Sequence, residues 1–422
     1  MGIRMLSIQE GPPLRSVLGA FLVAPWFVVA AALVLLQGGG GALADRYTPS
    51  LLAATHLVTI GFLLMTATAA VFQLLPVLSG RSVQGVSLVA PVIQGGFGFG
   101  ALVLAAAFLS QQARLFMGAA VLLGCTAGVF LVPTALALWS PTLHKTILIM
   151  RYALVALAVA LGLGIIMAIS YARGHAPAGF LSLMHPTFAF VAFFILWAGV
   201  AWQVLPMFQR VRPWSYQAGL AVSLALIGLA AAALWTSVVA APPGVMAALL
   251  LGVVGVIGFS AAFILNRLGR RGRARRDAMT YFWYLALASL MGACFIAVFL
   301  VLGYAQSPRW PLVFGVLVIL GAAASFINGM LYKIVPFLIW LNLQRQLGRT
   351  SWLMQEVISE RRIMIHFAIH LLALVALLAA IVWHFGTDLA AILWVCAGAS
   401  LGLNLARAGV SYRRALRPLS SA

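Results

Sequence analysis

Acidic residues are nearly absent from this chain. Only six Asp and Glu stand among 422 residues, against 26 Lys and Arg. All six, Glu10, Asp45, Asp277, Glu356, Glu360 and Asp388, fall in loops or at the ends of apolar segments. Carriers and pumps that couple to protons or cations place a carboxylate inside the membrane, so this distribution argues against both. Cysteine is scarce as well. Cys125, Cys294 and Cys396 lie far apart in apolar runs, which excludes a CxxC site and a disulfide framework and leaves them as small packing residues. No polar stretch is long enough for a soluble catalytic domain.

What is abundant is apolar. Hydrophobic residues make up 64% and charged residues 8%, and the mean hydropathy is +1.10. Such a chain is a polytopic membrane protein, since each bilayer span needs roughly 20 apolar residues. Twelve apolar segments are expected: 17–37, 51–78, 86–109, 115–138, 145–171, 180–207, 216–240, 244–267, 281–304, 311–341, 364–385 and 387–406. Gly, Pro, Arg or Ser clusters separate most of them. The first ends near Ala42-Leu43-Ala44, which resembles a signal-peptide cleavage site, but its apolar core is too long for one.

The basic residues orient the chain. One side collects Arg4, Arg15, Arg81, Lys145, Arg151, Arg210, Arg212, the cluster at 267–276, Arg345, Arg349, Arg361, Arg362 and the arginines of the tail. The other holds Arg46, Arg114, Arg173 and Arg309. The positive-inside rule places both termini in the cytoplasm of a plasma (inner) membrane. The net charge of +20 then marks contact with anionic headgroups at the cytoplasmic face rather than with nucleic acid, because no aromatic platform is interleaved in the cluster.

A motif recurs at fixed spacing. Phe72-Gln73-Leu74-Leu75-Pro76, Trp202-Gln203-Val204-Leu205-Pro206 and Tyr332-Lys333-Ile334-Val335-Pro336 share one pattern. The intervals 206 − 76 and 336 − 206 are both 130 residues. This predicts a single transmembrane domain of three four-helix repeats (17–138, 145–267, 281–406) with pseudo-threefold symmetry. Lys333 is expected to snorkel to the interface. The small residues Gly321 to Ser325 and Asn328-Gly329 predict close helix packing on the tenth segment.

Histidines are the candidates for chemistry. His56 precedes its motif proline by 20 residues and His185 precedes its own by 21, which sets both near the outer edge of the hydrocarbon. An apolar surround favours neutral imidazoles, able to bind a haem iron or copper through one nitrogen while the other is held by an acceptor, for which Thr55 and Thr59 are candidates. The alternative is a pair hydrogen-bonded within the bundle. His366 and His370 are four apart, on one helix face, and with His144 form a candidate metal site near the cytoplasmic end. The alternative there is interfacial polar residues. His175 and His384 are expected in outer loops.

Twelve helices in three arcs with a histidine early in the second resemble the catalytic subunit of haem–copper oxidases and nitric-oxide reductases. His56, Gly61, Phe62 and Leu75-Pro76…Gly80-Arg81 are similar to the smaller NnrS-type membrane proteins. The resemblance implies a haem ligand at His56 and a copper ligand at His185, which begins a His-Pro pair with Pro186. The oxidase pattern then departs: Thr187 and Ala189 replace its Glu and Tyr, and no histidine pair lies between 216 and 240. A complete oxygen-reducing centre is thereby excluded. The expectation is a haem- or metal-binding protein of nitric-oxide, copper or respiratory biology that is not an oxygen reductase. A metal-free permease for a small solute and an assembly scaffold are the alternatives.

Overall fold

A computed structural model describes residues 12–79, 83–139, 145–209, 211–239, 241–270, 277–347 and 356–420. Every regular element among them is helical. Twelve helices are long and apolar enough to cross a membrane: α1 Leu14–Leu43, α2 Pro49–Pro76, α3 Val86–Ser110, α4 Ala113–Leu138, α5 Thr146–Ala172, α6 Gly179–Trp202, α7 Tyr216–Val238, α8 Pro243–Gly269, α9 Ala278–Val301, α10 Arg309–Gln346, α11 Glu360–Trp383 and α12 Thr387–Leu416. Eleven of the expected segments agree with these to within about six residues at each end. The largest departure is α12, which continues to Leu416 where the expected segment stops at 406; α1 runs on through a short tight turn and α10 is longer than expected.

Local chemistry sets the helix starts. The Thr48 hydroxyl accepts from Leu51 N ahead of Pro49, and Asp277 accepts from Thr280 N at the head of α9. Consecutive spans pack side by side, and α12 lies along α1, so the two ends of the chain meet.

Two spans are not plain α-helices. α2 contains a π segment at Leu57–Leu64 and α10 another at Leu317–Ala324, and the two segments approach one another in the bundle. Their starts differ by 317 − 57 = 260 residues, twice the motif interval. The stretch of α6 at the same interval is uninterrupted α-helix, so this backbone feature occurs in two of the three spans that carry the motif. Close approach accounts for Gly61 inside the first π segment: a Cβ there would collide with the Phe27 ring of α1. The small residues of α10 behave as expected, since Gly321 sits against Ser289 and Gly329 against Phe282 of α9.

Candidate functional site

Each even-numbered span starts from the face that carries the α1–α2 loop, so His56 of α2 and His185 of α6 sit at similar depth below it. Their rings lie 6.4 Å apart, centre to centre, and within 10° of parallel. His56 Nδ1 is 2.8 Å from the Leu52 carbonyl oxygen, and His185 Nδ1 is 2.9 Å from that of Ala160. A carbonyl only accepts, so in each ring Nδ1 carries the proton and Nε2 presents a lone pair. The acceptors are therefore backbone carbonyls rather than Thr55 and Thr59; the Thr59 hydroxyl instead donates to the Thr55 carbonyl. Phe108 packs on His56 at 5.1 Å and meets Phe116 and Tyr171 edge to face. Gly164 makes room for His185, because a Cβ there would stand 2.9 Å from Cε1 of the ring.

Both histidines are half-buried because they line a cavity of about 1250 Å³. Its wall is mostly Leu, Ile, Val, Ala and Phe. Asp45, Arg46, Tyr47 and Gln306 line it at the loop end, and Ala323 and Trp394 line its floor. Arg46 lies over the Tyr47 ring at 4.6 Å. The volume exceeds the roughly 300–1,000 Å³ of ordinary small-molecule pockets.

A second histidine pair lies below that floor. His366 and His370 of α11 are each 1% exposed, with rings 6.0 Å apart. Ten residues of helix at about 1.5 Å each carry His370 from the start of α11 to mid-membrane, deeper than an interfacial residue. Their partners come from α10 and α12: Tyr332 Oη is 3.0 Å from His366 Nδ1, the Asn404 amide donates to Tyr332 Oη at 3.0 Å, and Ser325 Oγ is 2.8 Å from His370 Nε2. Asn328 Nδ2 is 3.4 Å from His370 Nδ1, a long contact, and Asn328 Oδ1 has no partner among the described residues. Trp394 stands edge-on to His370 at 5.2 Å, so one ring separates this pair from the cavity. His144 lies outside the described residues, as do Arg81, Arg210, Arg349 and positions 271–276 of the basic cluster. No group of three or more His, Cys, Asp and Glu gathers among the described residues. His175 and His384 are exposed.

A third polar group ties α6, α9, α10 and α11 together near the opposite face. Lys333 Nζ is 2.8 Å from Asp277 Oδ2, so Lys333 forms an ion pair instead of reaching freely to the interface. Thr280 Oγ1 and Gln209 Nε2 donate to Asp277 Oδ1, and Glu360 Oε1 accepts from Ala278 N. Burial alone would raise the Asp277 carboxyl. The Lys333 ammonium and the hydrogen bonds from Thr280 and Gln209 outweigh burial and hold it at about 2.

Reasoning on histidines alone missed Ser325, Asn328, Tyr332, Asn404 and the Asp277–Lys333 contact. Asn404 and Asn328 were visible as amides within apolar segments, a signal in its own right. No protein-family model matches the chain, and no curated protein matches it.

Proposed function

We propose that this multi-pass membrane protein holds a haem or related metal centre in its large cavity through His56 and His185. The observation that carries the reading is the pair itself. Two imidazoles from different spans face one cavity, each with Nδ1–H fixed on a carbonyl and Nε2 left as a donor. That is the tautomer and second-shell support that ligating histidines use. The apolar wall suits a large hydrophobic macrocycle, and Arg46 at the loop end suits its carboxylates. The donor set therefore fits the group, with His56 and His185 as ligands and Gly164 keeping the second ring in place. Such a centre supplies binding of a diatomic gas or single-electron transfer. The chain's own residues orient the ligands and exclude water around them.

The reading agrees with the resemblance to NnrS-type proteins, with a plasma-membrane location and with cytoplasmic termini facing anionic headgroups. The 130-residue motif and the paired π segments support a threefold arrangement of α2, α6 and α10. A carrier for a small neutral solute is the second reading, favoured by the size of the cavity and by the single ion pair of α9 and α10. Optical spectra of the purified protein separate the two. A Soret band that shifts on reduction supports the haem, and a colourless preparation with stoichiometric haem supplied during expression overturns it.

A further inference from the structure

His366 and His370 have a chemistry of their own that the cavity does not use. We infer that this pair, with the Asn328 side-chain oxygen beside it, is a binding site for one copper(I) ion. The argument begins with the nitrogens. His370 Nε2 is held by Ser325, whose hydroxyl lies 3.4 Å from the Leu320 carbonyl of the π segment. The same ring also donates to the Leu320 carbonyl, and its Nδ1 lies at the long distance from Asn328. His366 Nδ1 is held by Tyr332, and Nε2 has no hydrogen-bond partner among the described residues. Each ring thus has one nitrogen braced by a hydroxyl and one spare, the pattern that outer-shell support gives to metal-bound histidines.

The spacing fits one ion. Nitrogen–metal bonds of about 2 Å, plus the distance from ring centre to nitrogen, put the centres of two ligating imidazoles roughly 6 Å apart. The observed separation is 6.0 Å. The unpaired Asn328 Oδ1, on a residue only 4% exposed, is a third donor, and a buried carbonyl oxygen without a partner is costly unless something occupies it. Turning the Asn404 amide lets its oxygen take the phenol proton, so Tyr332 can accept from His366 Nδ1–H when Nε2 binds metal.

Charge selects the ion. The donors are all neutral, and two carboxylates at that end of the bundle, Asp277 and Glu360, are engaged by Lys333 and by the Ala278 amide. A dication at mid-membrane would have no counter-charge, whereas a monocation carries a much smaller desolvation cost. Imidazole suits copper, and charge alone favours its monovalent form here. Calcium and magnesium are disfavoured on charge and on ligand type, and zinc on charge alone.

The test uses the purified full chain in detergent, titrated with copper(I) against a colorimetric copper(I) chelator, together with X-ray absorption at the copper edge. One ion per chain with nitrogen and oxygen ligands is expected. His366→Gln and His370→Gln should weaken binding more than 100-fold, and Ser325→Ala should weaken it about 10-fold by releasing the bracing hydroxyl. His56→Ala with His185→Ala should leave copper binding unchanged, and His366→Gln should leave any Soret band unchanged, so this site and the cavity site fail separately. Absence of copper(I) binding overturns the inference. So does equal binding by both glutamine variants, or sulfur in the absorption spectrum, which needs no variant to fold.

Discussion

The two histidine pairs are built alike and finished differently. Each lies against a π segment: His56 immediately precedes Leu57–Leu64, and His370 is tied through Ser325 to Leu317–Ala324. The upper pair is braced by backbone carbonyls and opens on a cavity of about 1250 Å³. The lower pair is braced chiefly by side-chain hydroxyls and amides, with the Leu320 carbonyl added at His370, and is buried against Phe282, Tyr332 and Trp394. Carbonyls hold a ring without competing for its second nitrogen. Side chains hold it more tightly but fill the space a large ligand would need. The difference separates a site for a bulky group from a site for a single ion.

The comparison breaks most visibly at the upper pair. His56→Ala should abolish haem binding, read as loss of the Soret band at unchanged expression, and His185→Ala should abolish or strongly reduce it. Retention of full cofactor by both would remove the upper site. Next in size is Gly61→Ala, which forces the Phe27 ring to move and should cost about 2 kcal/mol, read as a lower unfolding temperature in detergent. A thermal shift within error of wild type would show that α1 yields freely.

Asp277→Asn should cost roughly 2 kcal/mol at neutral pH by leaving Lys333 without its anion. The pH dependence has a definite sign. The folded carboxyl at about 2 lies below its ordinary 3.8, so its contribution is complete above pH 4–5 and is lost as pH falls toward 2. Wild type should therefore lose stability over that window more steeply than the Asn variant, and parallel curves would disprove the ion pair's role. Gly164→Ala should shift the reduced Soret maximum or weaken haem retention a few-fold while leaving copper(I) binding alone. His384→Ala should change neither, because that side chain is exposed beyond α11.

Much of this was legible from residues alone, for physical reasons. Long apolar runs leave no choice but spanning helices, so the twelve elements and their approximate ends followed directly. The four-residue spacing of His366 and His370 fixed a shared face. Depth counting placed His56 and His185 level, but not facing. Spacings of 20 and 21 residues to the prolines would set the rings about 100° apart in uniform α-helices, and a π segment after His56 alters that phase. Ring contacts across 45 residues, such as Ser325 with His370, depend on how α10 and α11 rotate against each other, which no local pattern encodes. The partner of Lys333 was not legible because Asp277 reads as a loop residue until α9 and α10 are set side by side.

The π segments also make direction independent of residue count in α2 and α10. A wide turn houses one residue more than an α-helix of the same rise requires. Removing a single residue from Leu57–Leu64 would let the span close into regular helix at almost unchanged height. Because the wide turn holds its extra residue within one revolution, the two sides of the cut would keep nearly their relative phase. For α2 that means His56 keeps its aim through such a deletion, whereas the same one-codon loss in the uninterrupted helix of α6 would turn His185 by about 100° relative to its motif proline.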